Sequence, residues 1–91
     1  MYQINRPIRI AQKEEDLFLV SLPSIGVRIE VNKNVVEFLE FLVEREPFND
    51  INIIANEFTK RYNITNVQDY VEMIGNMIQI QMLTGGDDGK K

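Results

Sequence analysis

The 91 residues contain no cysteine, no histidine and no tryptophan. Without cysteine there is no disulfide, no thiolate nucleophile and no cysteine-based zinc site. Without histidine the commonest general base and metal ligand is missing. Basic residues are in deficit, 10 Lys and Arg against 14 Asp and Glu, which leaves a net charge of −4. A small domain with that balance repels phosphates before contact, so nucleic acid is not an expected partner. No apolar run approaches the roughly 20 residues of a membrane span, and no membrane partner is expected. Residues 1–10 carry Arg6, Pro7 and Arg9 and lack the apolar segment of a secretory signal, which predicts a cytoplasmic protein. The glycosylation triplet Asn63-Ile64-Thr65 carries no meaning in that setting.

What is present is ordinary globular composition, 44% hydrophobic and 26% charged. The length suits one domain, since a typical domain needs about 100–150 residues. The expected boundaries are a single domain over 1–84 and a flexible polar tail over 85–91, where Gly-Gly-Asp-Asp-Gly-Lys-Lys lacks both the spacing and the following helix of a phosphate loop. Without cysteine and histidine, binding is expected rather than chemistry.

The chain divides into a strand half and a helix half. Over residues 2–10, Tyr2, Ile4, Ile8 and Ile10 share one parity and Gln3, Asn5 and Arg9 the other, which predicts a half-buried strand. Pro7 lacks an amide proton and makes that strand irregular or places it at an edge. Lys13-Glu14-Glu15-Asp16 reads as a solvated turn. Leu17 to Leu22 is apolar on both parities, as in a central strand. Pro23-Ser24 turns the chain, and from Ile25 to Val31 the alternation is clean. These three strands predict an antiparallel meander.

After Val31 the period lengthens to three and four. Asn34-Val35-Val36-Glu37 has the form of a capping box, and Val35, Phe38, Leu39, Leu42 and Val43 form one stripe opposite Glu37, Glu40 and Glu44. Pro47 ends this helix. Asp50 is the expected N-cap of a second, with Ile51, Ile54, Ala55, Phe58 and Tyr62 apolar. Thr65 with Gln68 suggests another capping box, opening a third helix to about Leu83. Gly85 and Gly86 then serve as its stop.

The third helix is apolar over an unusually wide arc. At about 100° per residue, Val67, Tyr70, Val71, Met73, Ile74, Met77, Ile78, Ile80 and Met82 span roughly 200°, interrupted only by Gln81. A helix on one core needs a stripe of only about 100° or somewhat more. Either the helix is clamped between the sheet and both other helices, or Tyr70, Met73, Met77 and Ile80 line a groove that a partner fills; methionine adapts well to varied ligands. The third strand, following a meander, is an expected edge with free amides and carbonyls. Arg28 and Glu30 can blunt such an edge, and an exposed edge beside an apolar helix can also capture an extended peptide by strand addition.

Three strands followed by three helices, βββααα, form an α+β, winged helix-turn-helix-like arrangement in permuted order. The stretch Gly26-Val27-Arg28-Ile29-Glu30-Val31-Asn32 running into Val35-Val36-Glu37-Phe38-Leu39 resembles the strand-to-helix segment of the PqqD-like proteins. These are the recognition elements for ribosomally made, post-translationally modified peptides. Asp50-Ile51, Ile54-Ala55, Phe58 and Tyr62, followed by Val67, Tyr70-Val71 and Ile74, are similar to that family's second and third helices. The resemblance spans about residues 5–83 and rests on hydrophobic spacing. Arg45-Glu46-Pro47-Phe48 replaces the glycine that often follows the first helix. Gln81-Met82-Leu83 replaces the frequent Gly-Leu ending of the third.

The resemblance implies binding of a precursor's leader segment and its presentation to a peptide-modifying enzyme, without catalysis or cofactor. It implies a leader added beside the third strand, with Ile25, Val27, Arg28 and Ile29 at the edge. Tyr70, Met73, Ile74 and Met77, with Ile80, then supply the groove. The rival readings are a winged-helix DNA-binding regulator and a generic interaction or dimerisation module, the latter through weak pairing of third strands. Against the first, residues 66–83 contain no Lys or Arg, the side chains that a recognition helix offers to DNA. Glu14, Glu15 and Asp16 read as a solvated face, Asp87 and Asp88 fall in the tail, and Tyr70 reads as a packing aromatic, so no active site or metal site is expected.

Overall fold

A computed structural model describes residues Met1–Gly85; the tail expected over 85–91 lies, beyond Gly85, outside the described residues. The elements are β1 (Tyr2–Ile4), β2 (Arg9–Glu14), β3 (Leu17–Leu22), β4 (Val27–Val31), α1 (Lys33–Arg45), α2 (Ile51–Arg61), α3 (Val67–Gln79) and β5 (Leu83–Gly85). The fold is α+β. β2, β3 and β4 form a three-stranded antiparallel sheet in that order, and β1 pairs antiparallel with β5 in a second, two-stranded sheet.

The strand expected over 2–10 is therefore two strands in two sheets. Pro7 separates them, because a residue without an amide proton cannot continue a ladder. Tyr2 to Ile4 turn toward the helices: Tyr2 donates to the Phe48 carbonyl at 2.7 Å and Phe48 donates back at 3.0 Å. β2 instead forms the outer strand of the meander, with all six residues exposed. Lys13 and Glu14 belong to it, so the solvated turn shrinks to Glu15-Asp16.

β3 is the central strand. Its Val20 and Leu22 are fully buried, and across the β4 register Val20 faces Ile29 and Leu22 faces Val27. The chain then turns at Pro23–Gly26, where Gly26 takes φ +71°, a conformation open to glycine without a Cβ penalty.

The helices are capped differently from the expected capping boxes. α1 starts two residues earlier than Asn34 implies: Asn32 is the N-cap and accepts the Val35 amide at 3.1 Å. Asp16, reaching over from the β2–β3 turn, accepts the Lys33 amide at 2.9 Å, so two of the four orphan donors of the first turn are satisfied. α2 is capped by Asp50 as expected, its carboxylate accepting the Asn52 and Ile53 amides. The Thr65–Gln68 box does not form. Asn66 is the N-cap of α3, and its side chain donates to Asp69 at 2.7 Å instead of binding a backbone amide.

α3 ends at Gln79, before the expected Leu83. Gln81 adopts φ +70°, its amide donates to the Ile78 carbonyl at 3.0 Å, and the Met82 amide reaches the Met77 carbonyl at 2.8 Å. That pair of bonds is a Schellman cap with glutamine where glycine is usual. It reverses the chain so that Met82 and Leu83 enter the core and β5 pairs with β1, with Ile4 opposite Leu83. Gly85 is not a helix stop but a strand residue at φ +98°, where a Cβ would lie 1.9 Å from the Met1 carbonyl oxygen.

The core lies between the sheet and the three helices. α1 contributes Val36, Phe38, Leu39, Phe41 and Leu42; its stripe is rotated from the expected one, leaving Val43 exposed and Phe41 buried. Phe41 turns inward onto Phe58, at 5.3 Å between ring centroids, and the Arg45 and Arg61 guanidinium groups stack over its outer side.

One polar clamp ties the N-terminal strand to the end of α1. Glu46, the C-cap residue, accepts the Ile4 amide at 2.8 Å and pairs with the Arg6 guanidinium. Its side chain is only 14% exposed. Burial pushes its carboxyl up, but the Arg6 hydrogen bond, the Ile4 amide and the Arg6 charge together outweigh burial and hold it below the ordinary range. A depressed folded-state pKa contributes stability above the unfolded value, lost as pH falls through the folded one. Glu46→Gln is therefore expected to cost about 1–3 kcal/mol at neutral pH. The gap from wild type should close as pH falls below the carboxylate range, in urea melts taken across that window.

Candidate peptide-binding edge

The site reading from sequence names two elements, the third strand and the third helix. In the structure the third strand is β4, and among the described residues it has a neighbour on one side only: β3 pairs with it from Phe18↔Val31 to Leu22↔Val27. In an antiparallel pair, residues whose amides and carbonyls point toward the partner alternate with residues whose groups point away. Every second residue of β4 thus offers its backbone to an incoming strand.

The side chains of β4 follow the same alternation. Val27, Ile29 and Val31 are half-buried against the core, and Arg28 and Glu30 are exposed on the opposite face. Ile25, placed in the site by the sequence, belongs to the turn before β4 and is also half-buried, its amide donating to the Leu22 carbonyl at 3.1 Å.

α3 splits its wide apolar arc into three parts. The centre is core: Tyr70, Ile74 and Met77 are buried. Tyr70 packs edge-on against Phe38 at 5.0 Å and also against Phe58 at 5.1 Å. Burial first, and then the nearby Asp69 and Glu37 charges, push the Tyr70 hydroxyl above its usual pKa, so it stays protonated. The two shoulders remain partly accessible, with Val67, Val71 and Ile78 on one side and Met73 on the other. Ile80, just past the helix, is 37% exposed. The centre of the arc packs on α1 and α2 through Phe38 and Phe58, and the shoulders are left over.

β4 and α3 contribute to the same hydrophobic core, and the main backbone neighbours of α3 are α2 and β5. The chain matches no family model, no curated protein and no solved structure. The site is therefore read from its own geometry.

Two features outside the sequence reading complete the surface. A cleft of about 410 Å³ opens beside the Arg6–Glu46 clamp, lined by Gln3, Asn5, Pro47 and Thr84. A second, of about 290 Å³, lies between the start of α2 and Phe48, beside the 57% exposed Ile53. Neither touches β4 or α3. Their lining joins residues more than 35 positions apart in the first case, so only the fold reveals it. Ile53 alone could have been noticed as an apolar residue off the α2 stripe.

Several of the carboxylates have structural partners. Asp16 is occupied as a cap, Glu30 pairs with Lys13 at 3.4 Å, and Glu44 and Glu57 pair with Arg61 and Arg45. Among the described residues no group of three or more acidic side chains could hold a metal ion. Nor is any helix among them long and apolar enough to cross a membrane.

Proposed function

We propose that this chain is a PqqD-like, winged-helix peptide-recognition domain. It binds the leader segment of a ribosomally synthesised precursor as an added strand on β4 and presents it to a modifying enzyme. The observation that carries the reading is the edge of β4 left unpaired among the described residues, whose inward side chains Val27, Ile29 and Val31 are only half covered. A peptide strand placed there gains main-chain hydrogen bonds from β4, and its alternate side chains complete the burial of those three residues. Met73 and Ile80 of the α3 side supply adaptable apolar contact on its far flank. Tyr70, Ile74 and Met77 act from beneath, as the floor that holds the helix in place.

The acidic balance and the absence of Lys and Arg over residues 66–83 favour this over DNA recognition. Weak self-pairing of β4 edges is the homodimeric form of the same contact and competes with the peptide.

The test is an amide-resolved NMR titration with the leader of the precursor peptide encoded beside this gene. Shifts concentrated in 27–31 and 67–80, at sub-millimolar affinity, are the expected result. An unchanged spectrum with the leader, and salt-sensitive shifts with duplex DNA, would establish the winged-helix regulator instead.

A further inference from the structure

The outward face of the three-stranded sheet carries a charge pattern that a captured strand has to match. The registers Arg9↔Ser21 and Ser21↔Arg28 place Arg9, Ser21 and Arg28 in one row across β2, β3 and β4. Two strand spacings, about 9–10 Å, separate the two arginine backbones, with a hydroxyl between them. Neither arginine side chain has an ion pair or hydrogen bond among the described residues, whereas Arg6, Arg45 and Arg61 are all paired. No acidic residue occurs in 7–12 or 17–29, and the nearest on the same face of β4 is Glu30. The next row along β4 differs, because its Glu30 has a partner in the chain, Lys13 at 3.4 Å.

Arg28 sits on the free edge, so a strand added to β4 brings one of its own residues directly opposite, with Cβ atoms about 4.5–5.5 Å apart. Resting on the strand-addition reading above, we propose that Arg28, reinforced by Arg9, makes this edge selective for a peptide with an aspartate or glutamate at that position. The peptide's two neighbouring residues face inward beside Val27 and Ile29 and are apolar. The recognised segment thus reads apolar, acidic, apolar, despite the net negative charge of the chain. Like charges directly opposite each other in a sheet are destabilising, so a lysine at the Arg28 position is rejected and fixes the register by exclusion.

Three synthetic octapeptides test this, alternating threonine with valine or isoleucine and differing only in Glu, Gln or Lys at one central threonine-face position. Binding is followed by NMR at low salt. The Glu peptide is expected to bind about two- to fivefold more tightly than the Lys peptide, the size of an exposed ion-pair effect. The preference should shrink in high salt and disappear in Arg28→Gln, whose exposed position keeps the fold intact. Equal affinity for all three, with shifts still in β4, overturns the acidic selectivity and leaves strand addition standing. A preference that survives Arg28→Gln overturns the assignment to this row. Absence of β4 shifts with every peptide overturns strand addition and the selectivity together.

Discussion

Replacing Phe58 with alanine is expected to destabilise the fold by about 3–5 kcal/mol, the usual cost of emptying a large buried aromatic site. Phe58 is 1% exposed and is the one ring that meets four others. It contacts Phe38 at 4.8 Å, Phe41 at 5.3 Å, Tyr62 at 4.7 Å and Tyr70 at 5.1 Å between centroids. Those partners come from α1, from α3 and from the end of α2, so the cavity would open where the three helices converge. Tilted and edge-on aromatic pairs also contribute about 0.5–1.5 kcal/mol each beyond area burial. At roughly 0.05–0.15 kcal/mol of stability per residue, a chain of this length has only about 5–14 kcal/mol in total. The variant should therefore show a urea midpoint far below wild type, or no folded baseline at all. Phe58→Leu, which refills most of the volume, should recover a large part of the loss. A loss below about 1 kcal/mol for the alanine variant would mean that the helices are not held together at this ring.

Much of this architecture is legible in the residue pattern because it rests on short-range physics. Period-two alternation over Ile25 to Val31 sets the inner and outer faces of β4. Pro47 and Asp50 mark the end of α1 and the start of α2 through the missing amide of proline and the carboxylate of a capping residue. What the pattern conceals depends on contacts between distant residues. β5 is concealed because Met82 and Leu83 extend the apolar period of α3, and the reversal falls on Gln81 rather than on a glycine. Its reward is non-local, the burial of Leu83 and the pairing with β1 some 80 residues away. Asp16 capping Lys33 is equally invisible, since nothing in a turn of acidic residues says which helix lies within reach. At the candidate site the free edge of β4 was readable from its place at the end of a meander. The division of the α3 arc into core and shoulders was not, because a helical wheel gives direction without saying how far the neighbouring elements extend. The unpaired row of Arg9 and Arg28 needs the strand register, which joins two hairpins and is fixed only by the fold.

That division of α3 leads to a sharp contrast between two methionines one turn apart. Met77→Glu is expected to unfold the protein whether or not a peptide is present. Met77 is 4% exposed in the core, so the change removes a packed thioether, worth about 2–5 kcal/mol when a methionine is truncated. It also strands a carboxylate that has no partner, at a further penalty of several kcal/mol. Met73→Glu places the same charge on a half-buried shoulder, from which a flexible side chain can reach water, so the fold survives with only a modest loss. In the reading proposed above Met73 gives apolar contact to the bound leader, and a solvated carboxylate there would exclude that contact. Met73→Glu should keep the dispersed amide spectrum of wild type and lose most leader binding, whereas Met77→Glu should give the collapsed spectrum of an unfolded chain. Loss of binding in Met77→Glu alone would say nothing about a groove, because the scaffold is gone. Full leader affinity in a folded Met73→Glu protein would remove the Met73 shoulder from the binding surface and leave β4 to hold the peptide without it.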